Sequence, residues 1–112
     1  MPVIQKFTEG VAVGAVVENV LAGSAFEFAN SNQIVSIGVV ANAVDTFVTI
    51  QIGTNIVLEE SASVVKITFP VIPDEMYYQD VASQGDRIVI RVRNASAATR
   101  DFRTIVQTTP IR

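Results

Sequence analysis

Arg87-Ile88-Val89-Ile90-Arg91-Val92-Arg93-Asn94 decides how this chain folds. On an extended backbone Ile88, Ile90 and Val92 point one way, and Arg87, Val89, Arg91 and Arg93 point the other. Strict alternation of this kind marks a half-buried strand. Thr46-Phe47-Val48-Thr49-Ile50-Gln51-Ile52 repeats it, with Val48, Ile50 and Ile52 on one face and Phe47, Thr49 and Gln51 on the other. The bias runs through the whole chain. Valine and isoleucine supply 31 of the 112 residues, and leucine supplies two, Leu21 and Leu58. Branching at Cβ costs rotamer freedom in a helix and packs well on a pleated surface.

Working outward, strands are expected over 3–8, 11–17, 25–29, 34–40, 46–52, 56–59, 64–69, 76–78, 87–94 and 102–107. Turn formers fall between them: Ala22-Gly23-Ser24, Asn30-Ser31-Asn32, Gly53-Thr54-Asn55, Pro70 to Asp74, and Ser83-Gln84-Gly85-Asp86. Gly53-Thr54-Asn55 is short enough to close a hairpin. Pro70 and Pro73 cannot donate to a ladder, so they end a strand or mark an edge. Residues 10–23 carry Ala, Val and Leu that also suit a short helix, but Gly14 and the valines favour strand or irregular structure. Eight to ten short strands imply an all-β chain, an antiparallel β-sandwich. A jelly roll of about eight strands is the first expectation. An immunoglobulin-like sandwich is the second, weakened by the missing Cys and Trp markers. One domain over 1–112 fits the length.

Composition limits the chemistry. There is no cysteine and no histidine, so disulfides, thiolate chemistry and the usual zinc, copper or iron sites drop out. No cofactor or metal is expected. Charged residues make up 17%, against about 25% in average domains. So apolar a surface suits burial against neighbouring copies, and a homo-oligomer is expected; the plainer alternative is a surface rich in Ser, Thr and Asn. The apolar stretch 11–17 ends at Glu18-Asn19, far short of the roughly 20 residues of a membrane span. Met1-Pro2-Val3-Ile4-Gln5-Lys6 has no signal-peptide pattern, so the cytoplasm is the expected location.

Short motifs yield little. Ser63-Val64-Val65-Lys66 matches the S-x-x-K pattern of acylating enzymes, which need both side chains on one helical turn. Here the flanks read as strand, and positions i and i+3 diverge. Neighbouring carboxyls in Glu59-Glu60 and Asp74-Glu75 diverge likewise and make no glycosidase dyad. Asp74, Glu75, Asp80 and Asp86 could offer oxygens to calcium, but their spacing fits no EF-hand loop. Asn94-Ala95-Ser96 is a formal glycosylation acceptor, read here as a turn. Gly85-Asp86 reads as a turn glycine with a capping aspartate.

Charge is distributed unevenly. Residues 1–86 hold two lysines against ten acids, formally −8; residues 87–112 hold six arginines against Asp101, formally +5. Arg87, Arg91 and Arg93 share a face, and Arg103 is expected on a strand paired with theirs. Arginine binds carboxylate or phosphate in a planar, two-pronged way. Its partner can be an acid of the same fold (Asp101 or Glu59), an acid of a neighbouring copy (Glu59, Glu60, Asp74 or Glu75), or nucleic acid. The overall charge of −3 and the lack of interleaved aromatics count against nucleic acid. Arg87, Arg91, Arg93 and Arg103 are therefore the expected interface, facing an acidic protein surface.

Gln84-Gly85-Asp86-Arg87-Ile88-Val89-Ile90-Arg91-Val92-Arg93-Asn94 resembles a late strand in the small single-jelly-roll or β-sandwich structural proteins of bacterial viruses. The likeness covers the whole chain as a style of architecture. It implies symmetric self-assembly as a capsid, cement or spike subunit, without enzyme activity or cofactor. A ligand- or carbohydrate-binding β-sandwich module is the alternative, with Tyr77-Tyr78 as its stacking surface.

Overall fold

The computed structural model describes residues 3–24, 26–67, 69 and 78–111. Among them the chain forms nine strands and no helix. The strands are β1 (Val3–Val11), β2 (Val16–Val17), β3 (Gln33–Ala41), β4 (Thr46–Ile52), β5 (Asn55–Ala62), β6 (Val64–Val65), β7 (Tyr78–Ala82), β8 (Ile88–Asn94) and β9 (Arg100–Pro110). They make two sheets packed face to face, a β-sandwich. The β9 sheet runs β1-β9-β3, with β6 and β7 sharing the far side of β3. The β8 sheet runs β2-β8-β4-β5. All pairings are antiparallel except the short one between β3 and β6.

Alternation builds the core. Ile88, Ile90 and Val92 of β8, with Val48, Ile50 and Ile52 of β4, meet Val35, Ile37 and Val39 of β3 and Phe102 and Val106 of β9. Each such side chain contributes roughly 1.5–3 kcal/mol by leaving water. The expected inward and outward sets of 46–52 and 88–94 are those observed.

Gly53-Thr54 closes the β4–β5 hairpin, with Ile52 paired to Asn55. Gly53 has a φ of 58°, and a Cβ there would lie 2.9 Å from the Asp86 carboxyl. Only glycine meets both demands. Asp86 also caps its own turn, accepting from the Ser83 backbone N–H at 2.9 Å beside Gly85 at φ 90°.

Several expected strands differ. Residues 11–17 divide into the end of β1, a turn and the two-residue β2. Within 25–29, Ala25 lies outside the described residues, and Phe28 makes only an isolated bridge to Arg87. Local bonds take over there: the Phe26 N–H donates to Ser24 Oγ and the Glu27 N–H to the Ser24 carbonyl, as serine often does in turns. Of the described residues in 64–69, only Val64–Val65 are strand. Met76 and Tyr77 lie outside the described residues; β7 starts at Tyr78.

Two buried asparagines complete the backbone bonding. Asn19 donates from Nδ2 to the Ile88 carbonyl and accepts from the Ile90 N–H through Oδ1, at 3.1 Å each. Its amide thus continues the β2 edge along β8 as a strand residue would. Asn94, 0% exposed, donates to the Val11 and Ala98 carbonyls at 2.8 Å and accepts from the Ser96 N–H and hydroxyl. Burial with its amide fully engaged keeps the Asn94-Ala95-Ser96 motif a turn.

Candidate functional site

The arginine face is the outside of the β8 sheet. Register places Phe47 opposite Arg93, Thr49 opposite Arg91 and Gln51 opposite Val89. All project away from the core because their neighbours Val48, Ile50, Ile90 and Val92 project into it.

The three arginines are held by glutamates of the same chain. Arg93 grips Glu60 with two prongs, Nε to Oε2 at 3.0 Å and Nη2 to Oε1 at 2.8 Å. Its guanidinium also lies over the Phe47 ring, 4.6 Å from the centroid. Arg91 reaches Glu18 at 3.2 Å and Glu60 at 3.6 Å. Arg87 meets Glu27 at 2.9 Å. The face thus carries a network in which Glu60 links two arginines.

Hydrogen bonding sets the carboxyl pKa values. The Arg93 bond holds Glu60 below the ordinary carboxylate value; partial desolvation opposes this, and the charges of Arg93 and Arg91 reinforce it. Glu27 is lowered first by the Gly23 N–H bond, against desolvation, with Arg87 adding to the effect. Arg93 is raised in turn by its bond to Glu60.

A bulge selects Glu60. Val48 pairs with Ser61 and Ile50 with Leu58, so Glu59 and Glu60 both stand opposite Thr49. The extra residue re-aims the strand and brings Glu60, not Glu59, onto the arginines. Glu18 and Glu27 were missed in the sequence because both lie in the irregular stretch between β1 and β3. Asp74 and Glu75 lie outside the described residues.

Arg103 sits elsewhere. Its strand, β9, pairs with β1 and β3 rather than β8. Its guanidinium lies 4.7 Å from the centroid of Phe7, on the outside of the other sheet. Residues 95–99 carry the chain across the sandwich, so neighbouring strands in sequence fall in different sheets. Asp101, on the same strand, accepts from the Gly10 N–H at 2.9 Å, not from the stripe.

The remaining candidates separate. Among the described residues no group of three or more His, Cys, Asp or Glu comes together. Asp80 accepts from the Val81 N–H and Asp86 from the Ser83 N–H. Ser63 and Lys66 flank the extended β6, with no helical turn between them. Tyr78 packs against the core, which removes it as a stacking platform; Tyr77 lies outside the described residues.

The outside of the β9 sheet is unlike the arginine face. By register Val3, Phe7, Val64 and Val81 share it with Arg103, and all four are exposed. Polar positions there are Gln5, Ser36, Gln79, Gln107 and Thr109. No protein-family model, no curated protein and no solved structure matches this chain.

Proposed function

We propose that this chain is a non-enzymatic structural protein that self-assembles, a capsid, cement or spike subunit of a virion. The observation that carries this reading is the outside of the β9 sheet. Phe7 and Val81, 42% and 50% exposed, stand with Val3 and Val64 on a face lined otherwise mainly by neutral polar groups. Apolar surface gathered in this way favours association with a like surface.

The strand order supports the same reading. Of the connections, only β4 to β5 is a hairpin within one sheet, and β6 and β7 both flank β3. All the others pass from one sheet to the other. With β6 set aside, β1-β9-β3-β7 faces β2-β8-β4-β5, which we read as the wrapped double Greek key of a jelly roll. Architecture alone does not set function, so the weight rests on the exposed face.

The arginine face fits assembly in a revised role. Arg87, Arg91 and Arg93 are neutralised within the chain, which weakens both phosphate binding and free pairing with another copy's acids. Their contribution to an interface is register at its rim.

Sedimentation velocity and native mass spectrometry over a range of concentrations test the proposal. Species larger than the monomer, growing with concentration in mild salt, are expected. A monomer throughout, at high concentration, overturns it.

A further inference from the structure

A cleft of about 450 Å³ opens at one end of the sandwich, where β3 begins and β9 ends. Gln33 and Thr108 line it from the β9 sheet, and Phe26, Phe28, Asn30 and Ser31 line it from the segment before β3. Its volume lies within the range of roughly 300–1,000 Å³ typical of small-ligand sites.

The cleft is built, not incidental. Gln33 and Thr108 are only 6% and 5% exposed. Neither side chain has a hydrogen-bond partner among the described residues. What remains accessible of them therefore opens into the cleft they line. Burying an amide and a hydroxyl without protein partners costs stability. A ligand that bonds to them recovers it.

The opposite wall is fixed. The Ile88 N–H donates to the Glu27 carbonyl at 2.7 Å, and the Ala29 N–H donates to the Asp86 carbonyl at 2.8 Å. These bonds tie the segment carrying Phe26 and Phe28 to the start of β8. The Glu27 carboxylate is engaged with Arg87 and the Gly23 N–H, and among the described residues no charged one lines the cleft.

These features select the ligand. The lining is neutral, so a charged group gains nothing there. Amides and hydroxyls both donate and accept, as sugar hydroxyls do. Aromatic faces carry partial negative charge and suit the C–H face of a sugar ring. An extended peptide has no ladder to join, because Gln33 is already paired with Ala82 on one side and Pro110 on the other. We infer that this cleft binds a neutral sugar ring, stacked on the phenylalanines and hydrogen-bonded by Gln33 and Thr108. The inference goes beyond self-assembly and does not depend on it.

Titration of the isotope-labelled chain with glucose, galactose, mannose and N-acetylglucosamine, followed by amide NMR, tests it. At least one should shift the amides of Phe28, Gln33 and Thr108, with millimolar affinity expected of so small a ligand. Phe28→Ala should weaken binding about tenfold. Thr108→Val and Gln33→Met should weaken it at least as much while leaving the melting temperature equal or higher, since each removes a buried group without a partner among the described residues. A merely structural role would lower the melting temperature instead. No response at the cleft to any of the four sugars overturns the inference. So does a response only to the dipeptide acetyl-Phe-Pro-amide, or sugar binding that survives both polar substitutions. Failure here would leave the sedimentation result untouched, so the two readings fall separately.

Discussion

On the β8 sheet the outward positions carry Arg87, Arg91 and Arg93, each held by a glutamate of the same chain. On the β9 sheet the outward positions of the flanking strands carry Val3, Phe7, Val64 and Val81, all exposed, while Val40 and Ile105 between them are buried. The inner faces are alike, made of valine and isoleucine in strict alternation. One sheet thus uses its charge internally, and the other leaves apolar surface open. The difference teaches that a charge asymmetry in a sequence can be satisfied within the chain instead of standing open on its surface.

The largest effects test what the sheets share. Ile37→Ala in the β9 sheet and Ile90→Ala in the β8 sheet each remove a side chain buried in one common core. Each should cost about 3 kcal/mol, with a single urea transition and an unchanged slope. Two transitions, or a loss at one site only, would mean that the sheets do not share a core.

The next effect separates the outer faces. Phe7→Ser with Val81→Ser should abolish assembly in sedimentation, since both leave the apolar face. Arg91→Gln with Arg93→Gln should leave the oligomer in place and lower the melting temperature only slightly. The reverse pattern would return the interface to the arginines.

How far the sequence revealed this follows from what each residue's neighbours require. Residues 46–52 and 88–94 were legible because one face is buried and the other wet, so pattern and fold coincide. The bulge in β5 was not, since an extra residue leaves the apolar content unchanged while switching Glu59 for Glu60. Arg103 was misplaced because successive strands often pair, though far from always. Here Asn94, Ser96 and Ala98 bind one another in a loop that changes sheet. The 25–29 segment looked like a strand, but serine and glycine at 23–24 offered the backbone nearer partners.

A smaller effect concerns the inside of the β9 sheet. The Thr104 hydroxyl is buried with no hydrogen-bond partner among the described residues. Thr104→Val keeps the shape and removes that cost, so stability should rise by about 1 kcal/mol in urea titration.

The smallest effect belongs to the arginine face. Glu27 and Glu60 have lower pKa values folded than unfolded. Their contribution is whole above the ordinary value of 4.5 and fades as pH falls through the lower folded values. Glu60→Gln should lower stability slightly at neutral pH and leave it nearly unchanged in acid, flattening the acid side of the stability curve. A steeper acid decline in the variant would show that Glu60 is not held by Arg93.

Asn19 has a consequence for how copies approach one another. A sheet edge with free N–H and C=O groups is a template on which a passing chain can add itself, and repeated addition gives fibres. Strand β2 is two residues long, and beyond it the Asn19 amide occupies the Ile88 and Ile90 groups of β8. An incoming strand finds that stretch already taken by a side chain, which cannot be extended from one copy to the next. Growth along this edge is thereby blocked, and a crowded population of this chain is steered away from amyloid and toward contacts between faces.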